Sequence, residues 1–291
     1  MKKIIILLVA VAMVACNPTS KLSTYQSEGD AAFEQADYAT AYTQYTQYIT
    51  VASANGVDIS NELYIKQAQA CAQLDKVDEA SELYNTLLAK GGHTKLLAEY
   101  SQMLQANGQV DEELALWNSY ADKVSAPELK QMMTERLIFL NESKGNNQVL
   151  IDVVANKPAD VKLSKEAQLC HIKALEAEKK GYPAAKACNQ LLKAYPNYIE
   201  ALEWKAKYYY EKAENRYKYE MAKYNKNKNA TTYAYLRRDL KKVSSDFRIA
   251  RDVFLQLRKH DPKNKSYIRY LKNTYLRLDQ KSEAVQLDKL L

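Results

Sequence analysis

Apolar and small residues recur along the chain with a helical period and a longer repeat. One signature recurs, three times in full: a small residue, three others, then a large apolar one, commonly entered through an Asp-aromatic or Asp-Glu turn. Asp37-Tyr38-Ala39-Thr40-Ala41 leads to Tyr45, and Lys76-Val77-Asp78-Glu79-Ala80 leads to Tyr84. Phe247-Arg248-Ile249-Ala250 leads to Phe254, and Lys281-Ser282-Glu283-Ala284 lies near the end. Ala41 and Ala80 are 39 residues apart, and Ala250 and Ala284 are 34 apart. A period near ~34 residues predicts stacked helical hairpins, in which small residues let paired helices approach and large ones fill the space beside them. A generic helical bundle gives no reason for such recurrence.

The details resemble the tetratricopeptide repeat family. In the first unit Tyr25 stands at the large-aromatic position, Gly29 at the small position, Tyr38 before the turn, Ala41 at the second small position and Tyr45 four later. In the second, Tyr64, Ala68, Val77, Ala80 and Tyr84 fill the same places. Residues 96–121 keep Leu97, Leu104, Val110 and Trp117, with Glu113 in place of the second Ala. Residues 126–158 fit by spacing, and 164–196 recover the pattern with Ala184 or Ala185, Leu192 and Pro196. The resemblance implies an all-α, right-handed solenoid of six or seven hairpins covering nearly the whole chain after the leader. It also implies a function in protein–protein interaction rather than catalysis.

One repeat departs from the period. Its first helix is expected from Tyr198 to Asn225, with Leu202, Ala206, Tyr209, Ala213, Tyr217, Met221 and Tyr224 on one face. Its second is expected from Thr232, with a heptad seam of Leu236, Leu240, Val243, Phe247, Ala250, Phe254 and Leu257. Joined by a polar link over 226–231, the pair reads as an elongated antiparallel coiled-coil hairpin. Each helix would be roughly 40 Å long at the α-helical rise, so the far half should project beyond its neighbours. The expected organisation is repeats over 23–197, the elongated repeat over 198–262 and a capping repeat over 263–291.

The N-terminus adds a different element. Met1-Lys2-Lys3 precedes 12 apolar residues, Ile4 to Ala15. This is the layout of a secretory signal peptide, and it falls short of the ~20 residues of a membrane span. Val14-Ala15-Cys16 resembles a bacterial lipobox, with Met13 where Leu is usual. The resemblance implies removal of residues 1–15, lipidation of Cys16 and a tether over 16–22. Asn17, which is not Asp, implies the outer membrane of the cell envelope. Ordinary cleavage after a small residue such as Ala12, leaving Cys16 a plain thiol, is the alternative.

Composition supports helices: Gly numbers 7, Pro 6, and Tyr outnumbers Phe 23 to 4, with no β-branched runs bounded by turns after the leader. The net charge of +7 conceals two ends. Residues 17–198 hold 17 basic and 23 acidic residues, and 199–272 hold 20 and 9. The far half of the elongated hairpin carries Arg216, Lys218, Lys223, Lys226, Lys228, Arg237, Arg238, Lys241 and Lys242 against Glu214, Glu220 and Asp239. Such a run suits a solvated coiled coil, or a contact arm for an acidic protein or anionic lipid. Lys223, Lys226, Arg237 and Arg238 are the candidate partner-binding residues. The expected partners are envelope proteins with an acidic surface, together with the membrane through the lipid. Nucleic acid is not expected for a secreted lipoprotein.

No constellation points to chemistry. His93, His171 and His260 lack metal-ligand spacing with other donors, so no cofactor or metal is expected. Phosphate-loop, Gly-x-Ser-x-Gly and dinucleotide fingerprints are missing. Asp78-Glu79 and Glu112-Glu113 fall at helix starts, where the helix dipole favours them. Cys71, Cys170 and Cys188 are too few for a disulfide framework, although Cys170 and Cys188 fall on successive helices and a bridge between them stays open. Tyr208-Tyr209-Tyr210 could stack on a sugar or peptide, with Tyr209 expected in the seam instead. Capture of a peptide or glycan for uptake is the alternative function, and it calls for a deep aromatic pocket.

Overall fold

A computed structural model describes residues 18–91 and 94–291, so the leader, Cys16 and His93 lie outside the described part. The described residues form α-helices and short 3-10 turns, with no strand among them. The helices are α1 (Leu22–Glu34), α2 (Tyr38–Ala54), α3 (Asn61–Gln73), α4 (Val77–Ala89), α5 (Thr94–Ala106), α6 (Val110–Tyr120) and α7 (Pro127–Ser143). They continue as α8 (Asn147–Asn156), α9 (Lys165–Ala177), α10 (Gly181–Ala194), α11 (Ile199–Lys226), α12 (Ala230–His260), α13 (Lys265–Arg277) and α14 (Lys281–Asp288). They pair in chain order as seven antiparallel hairpins. The chain divides into two compact units between Leu129 and Lys130, within α7.

Six of the seven hairpin turns share one backbone form. A residue in the left-handed region closes each first helix: Ala36, Asp75, Gly108, Gly145, Lys179 and Asp279, with φ between 55° and 70°. The first five stand at intervals of 39, 33, 37 and 34 residues. The residue after each donates its N–H five positions back, from Asp37 to Ala32, Lys76 to Cys71, Gln109 to Leu104, Asn146 to Asn141, Lys180 to Leu175 and Gln280 to Tyr275, at 2.8–3.0 Å. This is the Schellman closure, which satisfies carbonyls that a helix end otherwise leaves open. The carbonyl of that same residue then accepts the first bond of the next helix, from Ala41, Ala80, Glu113, Leu150, Ala184 and Ala284. One turn therefore ends a helix, starts its partner and fixes the register between them.

All six residues at that register position are buried. Ala41, Ala80, Ala184 and Ala284 fill it with a methyl group, and Leu150 with a larger side chain packed against Ile138. Between Ala184 and Ala185 the register selects Ala184, and Leu191 rather than Leu192 enters the core beside it. Gly29 is small for a visible reason. A Cβ there would stand 2.7 Å from the Tyr45 ring, closer than packing permits. Side-chain caps support α3 and α9, with Ser60 accepting from the Leu63 N–H and Ser164 from the Ala167 N–H, both at 3.2 Å.

Overpacking the register should therefore be felt directly. Ala41→Leu, Ala80→Leu and Ala250→Leu should each destabilise the fold by about 1–3 kcal/mol, because all three sites are fully buried at helix crossings. Urea denaturation checks this, and unchanged midpoints for all three would contradict the register.

The third hairpin solves the same problem with polar groups. Glu113 is buried, and its Oε1 accepts from Ser101 Oγ at 2.6 Å. The fully buried Trp117 donates its indole N–H to Ser101 Oγ at 3.1 Å, with Glu113 Oε1 at 3.4 Å. A carboxylate at a site that prefers Ala is tolerated because these donors meet it.

Candidate interaction site

The long hairpin lies in the second unit. With 28 and 31 residues, α11 and α12 are about 42 and 46 Å long at the α-helical rise. The Schellman turn is absent from this hairpin. Asn227-Lys228-Asn229 links the helices instead, and Asn229 and Thr232 form a capping box. That box starts α12 at Ala230, two residues before the expected Thr232.

Packing changes in steps along the hairpin. At its base Leu202 and Ala206 meet Ala250, Val253, Phe254 and Leu257, together with Tyr267, Ile268 and Leu271 of α13. In the middle Ala213, Val243 and Phe247 form a smaller cluster with Tyr210, Tyr217 and Leu240. Toward the link the buried residues are Leu236 and two acids, Glu220 and Asp239.

The expected α12 seam is present, with Leu240 only half-buried. The expected α11 face needs one correction. Tyr209 packs against the base cluster as expected, and Tyr210 joins it there, edge-on to Phe247 and Tyr270. Glu220, rather than Met221, is the buried residue one heptad beyond Ala213. Hydrophobicity alone favours Met221 over its neighbour, whereas the register turns Glu220 inward and leaves Met221 half-buried. Within Tyr208-Tyr209-Tyr210, Tyr208 stacks on Trp204 at 4.9 Å, so these rings are largely engaged with the protein.

Electrostatics separates inside from outside. Glu214 takes two hydrogen bonds from Arg277 of α13, at 2.8 and 2.6 Å. That guanidinium holds the Glu214 carboxyl below the usual carboxylate range, and it lies 4.2 Å over the Tyr217 ring. Glu214 therefore ties the hairpin to α13 and does not belong to the free end. Glu220 pairs with Arg216 at 2.5 Å. Asp239 is held by Arg238 through two hydrogen bonds, at 3.1 and 3.2 Å, which keep its carboxyl low. Both acids sit in the seam, so they offset much less of the outward charge than their count implies.

Of the four candidate residues, Lys223, Lys226 and Arg237 are exposed and have no ion pair among the described residues. Arg238 is exposed but oriented by Asp239. Lys228, Lys241 and Lys242 are likewise exposed and without an ion pair among the described residues. Tyr219, Tyr233 and Tyr235 stand among them with 60, 50 and 50 % of their surface exposed. Composition signalled the basic residues; the outward tyrosines were missed, since a tyrosine at helical spacing reads equally well as core.

Other concave features are open and of mixed polarity. In the first unit a cleft of about 280 Å³ is lined by Gln69, Gln73, Glu99, Gln102 and Asn107, with Tyr84 and Met103. In the second, a cleft of about 570 Å³ includes Lys157, Lys162, Gln168, His171 and Tyr195. Burial pulls the His171 pKa down and so favours the neutral imidazole there. Each of these two clefts has one tyrosine ring, Tyr84 or Tyr195, among mostly polar and aliphatic neighbours, unlike the enclosed aromatic pockets that suit small-ligand capture. Among the described residues no cluster of three or more acid, His or Cys side chains could hold a metal.

The three described cysteines, Cys71, Cys170 and Cys188, are free. Cys188 Sγ points at the Ala201 carbonyl, 3.5 Å away in α11, whereas Cys170 packs against the Ile138–Leu150 cluster. The two thiols therefore face different neighbours. Burial raises the Cys188 thiol to about 12 and Cys71 to about 11, which keeps both protonated and unreactive at neutral pH.

No family model matches the chain. The human DnaJ homolog subfamily C member 7 is 23% identical over 134 residues, covering 46% of this chain and 27% of that protein. The chain thus spans about a quarter of the length of that curated relative. The solved structures it resembles are tetratricopeptide repeat proteins. One from Parabacteroides merdae is 15% identical, with a TM-score of 0.45 over 88% of this chain and 99% of the other. The C-terminal part of a Cytophaga hutchinsonii repeat protein is 16% identical, with a TM-score of 0.46 over 85% and 99%. YrrB, described as a TPR protein with an unusual peptide-binding site, is 11% identical, with a TM-score of 0.47 over 65% and 97%.

Proposed function

We propose that this all-α, tetratricopeptide-like chain is a lipid-anchored scaffold of the bacterial cell envelope that binds proteins and performs no catalysis. The anchor is Cys16, and the outer membrane is the proposed location. Support for the anchor comes from the order of Lys2-Lys3, the apolar run and Cys16. Stacked hairpins offer extended surfaces for protein partners, and the described clefts suit polypeptide contact better than enclosure of a small ligand. A secreted scaffold in this position would not meet nucleic acid.

The observation that carries the interaction reading is the long hairpin. Lys223, Lys226 and Arg237 face solvent at an end whose acids are turned inward, and packing does not require such an arrangement. This end docks an acidic surface. Recovery of the tagged chain from detergent-solubilised membranes tests the reading. A partner protein should co-purify in fixed proportion and rebind when purified alone. A recovered peptide or sugar without any protein partner would replace the scaffold reading with ligand capture.

A further inference from the structure

We propose that the acidic surface met by the long hairpin is an anionic lipid headgroup layer, an inference that rests on reading the hairpin end as a contact arm. The stretch 221–238 contains no Asp or Glu, five Lys or Arg and three Tyr. Lys223 and Lys226 lie on α11, Lys228 on the link, and Arg237, Lys241 and Lys242 on α12. Positive charge thus occupies both helices and the tip itself, instead of one flank.

A protein partner recognised in a single register is generally met with charges of both signs, because like-charge mismatches exclude wrong alignments. Here no acid contributes such a mark. Glu220 and Asp239 are buried at 3 and 6 % exposure, each beside its own Arg. A headgroup layer is a continuous negative sheet, and it requires only positive charge without registration.

The tyrosines point the same way. Tyr219, Tyr233 and Tyr235 are outward, and Arg216 and Arg238 lie over the rings of Tyr219 and Tyr235 at 5.7 and 5.3 Å. Rings with an apolar body and a polar hydroxyl settle at the boundary between headgroups and acyl chains. The tip exposes no large aliphatic side chain, so it goes no deeper than those rings. The contact is therefore peripheral and salt-sensitive.

Flotation of the full-length chain carrying Cys16→Ala, so that no acyl anchor contributes, tests this with vesicles of phosphatidylcholine alone and of an equimolar mixture with phosphatidylglycerol. This chain should prefer the anionic vesicles and lose that preference in high salt. Each basic residue near an anionic surface contributes roughly fivefold to partition, so Lys223→Gln, Lys226→Gln, Lys228→Gln and Arg237→Gln together should weaken anionic binding by several hundredfold. Tyr219→Ala, Tyr233→Ala and Tyr235→Ala together should weaken it at fixed salt. All seven side chains lie at the surface, so helical content by circular dichroism should not change in either variant.

Equal binding to neutral and anionic vesicles overturns the lipid proposal. So does anionic binding that survives the four neutralisations, since another surface would then carry it. If vesicles are ignored while a co-purifying protein is lost on neutralisation, the tip docks an acidic protein; the lipid proposal fails and the scaffold reading stands. If neither vesicles nor a protein respond to the tip, both readings of the tip fail.

Discussion

Truncating Trp117 to Ala is expected to destabilise the first unit by about 3–5 kcal/mol, the range for deleting a large aromatic side chain from a core. The ring is fully buried, and its N–H supplies Ser101 Oγ and approaches Glu113 Oε1. Removal opens a cavity and also withdraws a donor from two buried oxygens. Trp117→Phe separates the two effects, because it keeps most of the volume and drops the N–H. It should lose about 1–3 kcal/mol, the penalty for a buried polar group left under-satisfied. For a chain of this size the Ala variant should melt roughly 6–20 °C lower, on the scaling of melting temperature with stability. Near-ultraviolet circular dichroism follows the loss of packing. A Trp117→Ala protein melting with the wild type would show that the Glu113–Ser101–Trp117 network does not hold the third hairpin.

Changing Cys16 to Ala should release the chain from membranes. Acyl chains stabilise membrane attachment by about 0.8 kcal/mol per buried methylene group, far more than a screened surface contact. No described helix is long and apolar enough to cross a membrane. Fractionation in high salt makes the test sharp, since salt also weakens any contact through Lys223, Lys226 and Arg237. The wild type should remain with membranes through the wash, and the variant should leave with the soluble fraction. A variant that stays with the envelope in high salt would assign the anchor elsewhere.

Much of the hairpin architecture was legible because two constraints coincide in the chain. Ala41, Ala80 and Ala284 each follow a turn by a fixed spacing, and a small residue there is what close helix crossings need. Glu113 and Leu150 occupy the same position but have the wrong size or polarity, so the third and fourth repeats read faintly. Their turns are as regular as the rest, yet φ is not written in residue type when Ala36, Asp75 and Lys179 adopt the left-handed region beside Gly108 and Gly145. In the long hairpin the heptad and the basic surplus were visible. The sorting of charge was not. Glu220 and Asp239 read as solvated acids until the register places them in the seam, each beside an Arg on its own helix.

The central claim is that the stacked hairpins are a surface for protein partners. Hydrogen exchange on the isolated chain, with and without the protein recovered from solubilised membranes, tests it most directly. Addition of that protein should slow exchange along consecutive helices of one unit, at a stoichiometry set by the partner and with the helical content unchanged. Unaltered exchange throughout the described residues at saturating partner, or protection confined to one enclosed cleft by a co-purified peptide or sugar, would contradict it.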